Sequence, residues 1–374
     1  MAKRLKVMTV FGTRPEAIKM APVVQMLAAH PDAFESVVCV TAQHRQMLDQ
    51  VLSLFQITPQ IDLNLMRPNQ DLFQITTGVL NGMKEALEAE KPDIVLVHGD
   101  TTTTMAASLA CFYLRIPVGH VEAGLRTFDK YYPFPEEINR VVTDSVTTLH
   151  FAPTERSRQN LLQSGAPESG IYLTGNTVID ALFYTLKNAQ AKPLPIEVAP
   201  DQRLILVTVH RRENFGEPLQ DICRALAEIV TRHPDVVMVI PVHPNPNVRE
   251  VVHQTLGPLD RIQLIEPQEY EPFCRLMERA TLILTDSGGV QEEAPSLSKP
   301  VLVLRDETER PEAVEMGTVK LVGPHYDRIV SETHALLTDP AAYQAMAQAA
   351  NPYGDGKASE RIRQALLQFA ETLA

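Results

Sequence analysis

Residues 91–104 read Lys91-Pro-Asp-Ile-Val-Leu-Val-His-Gly-Asp-Thr-Thr-Thr-Thr104, and this stretch decides the fold class. Ile94–His98 is a short, nearly unbroken apolar run, as expected of a strand covered on both faces. Stretches with helical spacing of apolar positions flank it, Leu72–Ala89 before and Thr101–Leu114 after. A strand between two helices, with no tight hairpin turn, pairs in parallel through crossover helices. The rhythm continues outward. Lys6–Phe11, Ser36–Thr41, Pro117–Val121 and Leu149–Ala152 read as strands, and Glu16–Ala29 and Arg45–Phe55 as helices. The first half is therefore predicted to be a doubly wound α/β domain.

The rhythm stops at Lys187–Arg203, where Lys-Pro-Leu-Pro and Ala-Pro-Asp mark a linker region. It then resumes. Leu204–Val209, Val236–Val242, Ile262–Ile265, Leu282–Thr285, Pro300–Leu304 and Val319–Val322 read as strands. Leu219–Arg232, Pro246–Leu256, Tyr270–Arg279 and Gln291–Leu297 read as the helices between them. Asp339–Ala350 and Lys357–Leu373 read as closing helices, separated by the turn Asn351–Gly356. The expected organisation is a parallel-sheet domain over 1–186, a linker over 187–203, a second such domain over 204–356 and a last helix over 357–374, with the two domains facing a shared cleft. A length of 374 residues suits two domains.

Composition narrows the function. Lys plus Arg total 34 against 46 Asp plus Glu, a net charge of −12, which argues against a partner such as nucleic acid or an anionic membrane. A local basic pocket for one phosphorylated small molecule stays open. No apolar run reaches the roughly 18 residues that span a bilayer. Lys3, Arg4 and Lys6 precede a short apolar stretch in the manner of a signal peptide, but Arg14 and Glu16 interrupt it, so it reads as the first strand. Cys39, Cys111, Cys223 and Cys274 are scattered, without C-x-x-C, and read as reduced buried thiols of a cytoplasmic protein.

Ligands of parallel α/β sheets bind outside the carboxyl ends of the strands, so the residues there carry the functional reading. Phe11-Gly-Thr-Arg-Pro-Glu-Ala-Ile-Lys19 lacks the G-x-G-x-x-G dinucleotide fingerprint but brings Arg14 and Lys19 to a helix start. The bland alternative pairs Arg14 with Glu16 on the surface. Asp100 follows the central strand either as a helix N-cap or as a functional carboxylate. Glu122 stands at the adjacent mouth, and Glu136-Glu137 follows Pro133-Phe134-Pro135. Converging carboxylates suit general acid–base work. His98, Asp100, His120 and Glu122 are also a permissible metal inventory, although no H-E-x-x-H accompanies them.

In the second half, His210-Arg-Arg-Glu-Asn-Phe-Gly216 offers a histidine and two arginines to phosphate oxygens. His243 ends the next strand. Asp286-Ser-Gly-Gly-Val-Gln-Glu-Glu293 opens a helix with small residues, whose backbone N–H groups suit a diphosphate, and Glu293 could accept ribose hydroxyls. Arg310 follows Pro300–Leu304. Gly354-Asp-Gly-Lys357 is not a P-loop, because its first glycine is missing and Ala follows the lysine.

Taken in order, F-G-T-R-P-E-A-I-K-M-A-P, H-G-D-T-T-T-T, H-V-E-A-G-L-R-T, P-E-E-x-N-R, H-R-R-E-N, D-S-G-G-x-Q-E-E-A, E-R-P-E-A and N-P-Y-G-D-G resemble the non-hydrolysing bacterial UDP-N-acetylglucosamine 2-epimerases, from about residue 5 to residue 363. The resemblance implies a GT-B fold of two Rossmann-like domains, with the C-terminal helix returning to the first. It also implies a cytoplasmic homodimer that interconverts UDP-GlcNAc and UDP-ManNAc with no nicotinamide or metal cofactor. It carries substrate contacts onto Arg14, Gln268, Phe273, Ser287, Gly288, Gly289, Glu293 and Arg310, with Ser287–Gly289 on the diphosphate, Glu293 on the ribose, and Gln268 and Phe273 at the uracil. It carries catalysis onto Lys19, Asp100, Glu122, Glu136 and His210. A second UDP-GlcNAc, acting as activator, would be held by Gln43, Gln46, Arg67, Glu136, Arg211 and His243.

The C2 proton of a glycosyl diphosphate is not acidic. Departure of UDP acidifies it, so the family's chemistry runs through elimination to 2-acetamidoglucal and re-addition of UDP, which suits synthesis of surface polysaccharide. Asp100, Glu122 and Glu136 are the candidates for moving the proton, and Ser287–Gly289, Arg14 and His210 for stabilising the leaving group. A GT-B glycosyltransferase acting on a UDP-sugar and a hydrolysing epimerase that releases ManNAc and UDP are the alternatives.

Overall fold

A computed structural model describes residues 4–41, 45–65, 67, 69–189 and 193–373, with residues 45 and 46 by backbone alone. The chain divides into two compact units, Met1–Thr185 with Tyr353–Ala374, and Leu186–Pro352.

The first unit holds seven strands: β1 (Leu5–Phe11), β2 (Phe34–Val40), β3 (Ile61–Asp62), β4 (Ile94–His98), β5 (Val118–Val121), β6 (Leu149–Ala152) and β7 (Ile171–Leu173). They lie in the order β3-β2-β1-β4-β5-β6-β7, every pair parallel. Val7 pairs with Ser36 on one side and Ile94 on the other, so the chain reverses its direction of travel across the sheet between β1 and β4. One core layer packs Met8, Val10, Val95 and Val97 against Val79, Met83, Ala106 and Ala110 from the helices Leu72–Glu90 and Thr102–Tyr113. The last helix, Ala358–Thr372, packs on the helix Arg14–Ala28.

The second unit repeats the plan with β8 (Arg203–Thr208), β9 (Val236–Pro241), β10 (Ile262–Ile265), β11 (Leu282–Thr285), β12 (Val301–Val303) and β13 (Val319–Leu321), in the order β10-β9-β8-β11-β12-β13 and all parallel. Ile205, Val207, Met238, Ile240 and Leu284 form its core with Ile222, Leu226, Ile229 and Val252.

The expected strands are all present within two residues of their expected ends. The structure adds β3 and β7 at the two edges of the first sheet, and the helices Glu136–Val146, Glu155–Gln163, Thr177–Lys187, Pro311–Glu315 and Tyr326–Thr338. The expected helix Gln291–Leu297 is instead a helix Gly288–Glu293 continued by a 3₁₀ turn, Ala294–Leu297, whose Pro295 has no N–H to give to an α-helical ladder. Asp339 lies outside its helix and caps it, accepting a hydrogen bond from the Ala341 N–H at 2.8 Å. The four cysteines are free and buried, and burial pushes the thiols of Cys39, Cys111 and Cys223 up to about 12. Among the described residues, no helix is long and apolar enough to cross a membrane.

Candidate active site

In the first unit the candidate residues gather at the carboxyl ends of β1, β4 and β5. Glu122 follows β5 with φ of +64°, a left-handed conformation that non-glycine residues rarely adopt. Its side chain is 8% exposed and pairs with the ammonium of Lys19. Its Oε2 also accepts from Asn176 Nδ2 at 2.7 Å. His98 Nε2 lies 3.8 Å from the same oxygen, and burial lowers its imidazole to about 4, so a neutral ring faces the carboxylate near neutrality.

Asp100 is not the helix cap. Thr101 is, accepting from the Thr104 N–H at 3.1 Å, and the Asp100 carboxylate is held by Arg140. The surface pairing of Arg14 with Glu16 is also absent. Glu16 is buried and accepts from the Gly12 N–H at 3.2 Å, the Thr13 N–H at 2.7 Å and the Thr101 hydroxyl at 2.8 Å. Arg14 is exposed at the mouth, next to Pro15 in the first helical turn.

The adjacent acids Glu136 and Glu137 divide into two kinds. Glu137 accepts from Arg126 Nε at 2.8 Å, the Thr127 N–H at 3.0 Å and the Phe128 N–H at 3.1 Å, and Arg140 adds a contact at 3.3 Å. Burial works against its charge, but these donors outweigh burial and hold it below the usual carboxylate range. Glu137 is committed to shaping its loop. Glu136 has a buried Oε2 without a hydrogen-bond partner among the described residues, the arrangement expected of a group awaiting a ligand.

His120, one of the permissible metal ligands, is spent elsewhere. Its Nδ1 lies 2.7 Å from Asp144 Oδ1 and its Nε2 2.7 Å from the Gly99 carbonyl oxygen. Both partners are acceptors, so both nitrogens carry protons. Among the described residues, no group of three or more His, Cys, Asp or Glu side chains is placed to hold a metal ion.

In the second unit, Asp286 is fully buried after β11 and gathers the loop after β8. Its carboxylate accepts from the backbone N–H groups of His210 and Arg211, at 2.9 and 2.8 Å, and from Asn214 Nδ2 at 3.0 Å. His210 Nδ1 lies 2.9 Å from Asp286 Oδ1, which leaves Nε2 as the outward nitrogen of a side chain 38% exposed. Burial raises Asp286, but His210 and the backbone donors outweigh it and hold it below the usual carboxylate range. His243 stacks against His210 with ring centroids 6.0 Å apart.

The helix after Ser287 has only six residues, so its dipole is modest. The stronger argument for an anion comes from the cations above it. A Cβ on Gly288 would stand 3.8 Å from Arg310 Nη2 and 3.9 Å from Arg211 Nη2. The Arg310 guanidinium is in turn held by buried Glu292. Glu293 is buried, and Tyr270 donates its hydroxyl proton to Glu293 Oε1 at 2.6 Å. Gln268 and Phe273 are half-buried, on and just before the helix Tyr270–Arg279.

Sequence reasoning passed over Asn176, Arg140, Tyr270 and Asp286. Asp286 had a signal in its place at a strand end, and Arg140 in closing the P-E-E-x-N-R motif. Of the activator set, Arg211 stands with Arg310 and His243 with His210, while Arg67 is exposed. Gln43 lies outside the described residues, as does the side chain of Gln46.

The model of the family described as UDP-N-acetylglucosamine 2-epimerase matches residues 25–367. The chain belongs to this family. The Escherichia coli K12 UDP-N-acetylglucosamine 2-epimerase is 60% identical to it over 371 residues, 97% of this chain and 98% of that one. The family's structure from Neisseria meningitidis, bound to UDP-GlcNAc, superposes with a TM-score of 0.87 at 53% identity, covering 97% of this chain and all of that one. A glycotransferase of kitacinnamycin, 12% identical with a TM-score of 0.65, shares the fold alone over 100% of this chain and 98% of its own. The family's fold is GT-B, and the two parallel sheets are its Rossmann-like halves.

Proposed function

We propose that the protein interconverts UDP-GlcNAc and UDP-ManNAc at C2 without net hydrolysis. A carboxylate removes the C2 proton while the C1–O bond breaks and its electron pair leaves with UDP, giving 2-acetamidoglucal. UDP then adds back at C1, and C2 takes a proton on the opposite face. The first-unit residues Lys19, Asp100, Glu122 and Glu136 serve the sugar, with Arg14 contributing to the diphosphate. The second-unit residues His210, Ser287, Gly288, Gly289 and Arg310 serve the leaving diphosphate, Glu293 the ribose, and Gln268 and Phe273 the uracil. A second UDP-GlcNAc acts as activator through Gln43, Gln46, Arg67, Glu136, Arg211 and His243, in a cytoplasmic homodimer.

The observation that carries the reading is the asymmetry of Glu136 and Glu137. One acid is saturated with internal donors, whereas its neighbour keeps a buried oxygen without a partner among the described residues. A group withdrawn from water and left unbonded costs stability, which fits a proton acceptor that meets its partner only in the complex.

Incubation of UDP-GlcNAc with the protein in D2O, followed by proton NMR, tests the proposal. The expected result is UDP-ManNAc with deuterium at C2 in both sugars. Accumulation of free ManNAc with UDP would mean hydrolysis, and an unexchanged C2 proton would remove the mechanism altogether.

A further inference from the structure

We propose that Asn176 is a positioning residue for Glu122, fixing the direction of its carboxylate, and that the returning segment after Pro352 is what holds Asn176 in place. The inference rests on the proposed C2 chemistry and adds a residue to it.

Every polar atom of Asn176 has an assigned task. Its side chain is 3% exposed. Oδ1 accepts from the Val178 N–H at 3.0 Å, at the start of the helix Thr177–Lys187. That bond fixes the amide orientation, because the NH2 end has no lone pair for an N–H donor, so Nδ2 must be the atom 2.7 Å from Glu122 Oε2. The backbone N–H of Asn176 donates to the Tyr353 carbonyl at 2.7 Å. Lys19, which also donates to Glu122, is a flexible ammonium that can follow a moving carboxylate, whereas a buried amide tied at two other atoms cannot. An amide also orients Glu122 without adding charge.

The anchor is built by close backbone contact. Gly175 and Gly354 have φ of +85° and +126°, and a Cβ on Gly175 would lie 3.3 Å from both Gly354 Cα and the Tyr353 carbonyl oxygen. Both positions therefore require glycine. A little further along, Asp180 accepts from the N–H groups of Ala358 and Ser359 at 3.1 and 2.9 Å and from the Ser359 hydroxyl at 2.6 Å. Tyr353 is fully buried. The segment Tyr353–Gly356, part of a bare turn in the sequence, thus reaches Glu122 through two hydrogen bonds.

The test separates this role from helix capping. Asp and Ser both keep an acceptor for the Val178 N–H. Asn176→Asp replaces the donor to Glu122 with a second carboxylate, and Asn176→Ser is too short to reach it. A residue needed only as a cap would leave turnover unchanged in both. On the proposal, kcat at pH 8 falls about 10- to 100-fold in both variants, the size expected of a small misplacement of a reacting group, while KM for UDP-GlcNAc stays within about threefold. The pH–kcat profile of Asn176→Asp also moves toward acid, because a proton shared between the introduced carboxyl group and Glu122 restores a donor.

The titratable groups facing Glu122 are Lys19 from the first helix, His98 from the end of β4 and His120 on β5, with Asp100 beside them. None changes in these variants, so the profile reads the new pair. If Asn176→Asp does not fold, the kcat loss with retained KM in Asn176→Ser decides the matter. Wild-type kcat and profile in a folded variant would overturn the inference. A wild-type protein that exchanges no C2 proton would instead overturn the proposed function.

Discussion

Each unit carries a histidine–aspartate pair near the mouth of its sheet, and the two pairs differ in whether the histidine is buried or presented. In the first unit both members are buried, His120 fully and the Asp144 side chain to 7% exposure, and both nitrogens of His120 are consumed by Asp144 and the Gly99 carbonyl. In the second unit the aspartate, Asp286, is the buried member, and His210 gives it only Nδ1. The same two side chains make a scaffold in one place and a presented imidazole in the other. Whether the histidine is buried with its aspartate decides between them. On the proposed mechanism the first unit does its chemistry with carboxylates, and its histidine cation holds the turn that carries Asp100.

The largest effect is expected where the first unit's working group loses its charge. Glu122→Gln removes the acceptor while keeping its shape, and kcat should fall by about 10³-fold, within the range for a general base. UDP affinity by calorimetry should stay within about twofold of wild type, because the residues proposed for UDP lie chiefly in the other unit. A variant that turns over at the wild-type rate would move the working role to Asp100 or Glu136.

A somewhat smaller loss should follow Asp286→Asn. The backbone N–H groups of His210 and Arg211 need an oxygen, so the new NH2 must face His210 Nδ1. Nδ1 then has to accept, and the proton moves to Nε2, the nitrogen proposed to meet the leaving group. The predicted outcome is about a 10²-fold fall in kcat with the fold intact, as expected when a histidine is locked in the wrong tautomer. The measurement is kcat beside the 15N shifts of His210, which report the tautomer directly.

The sequence made the frame legible because the central strands are nearly continuous apolar runs, and such runs have few readings once helices flank them. β4, β6, β10 and β11 have the expected ends. It missed β3 and β7, of two and three residues, because so short a strand has no pattern. The helix Glu136–Val146 was missed although it carries a signal. Its fully buried residues are polar, Glu137, Asn139 and Thr143, while Ile138, Val141, Val142 and Val146 stand at helical spacing on a face that is not fully buried. The helix Tyr326–Thr338 was missed in the same way. Ile329, Val330, Thr333, Leu336 and Leu337 are buried at helical spacing, and the sequence reading passed over a real signal.

At the site, the strand-end rule located the acids and the arginines but could not say what each one touches. Asn176 meets Glu122 across 54 residues and Asp286 meets His210 across 76. The resemblance picks Glu136 over its neighbour Glu137, but that the loop consumes Glu137 shows only in the folded chain.

The smallest effect sharpens the comparison most, because it uses the substitution that damages the second unit and predicts tolerance in the first. In Asp144→Asn the new NH2 donates to His120 Nδ1, and the neutral ring still donates from Nε2 to the Gly99 carbonyl, so kcat should remain within about threefold of wild type. What changes is the response to pH. Burial opposes the charge on His120, but Asp144 and the Gly99 carbonyl outweigh burial and hold the imidazole above its ordinary value. A group raised in the folded state stabilises fully below its unfolded pKa, about 6.5, and that contribution is lost as pH rises through the folded pKa. Asp286 has the opposite sign: its folded pKa is depressed, so its contribution is present above about 3.9 and lost as pH falls through the folded pKa. Native-state amide exchange, read separately over β4–β5 and β8–β11, should show the first unit loosening toward alkaline pH and the second toward acid. Asp144→Asn should flatten the alkaline limb alone, a matter of a few degrees in Tm. An alkaline limb that survives the substitution would mean that His120 is not the buried cation its two acceptors require.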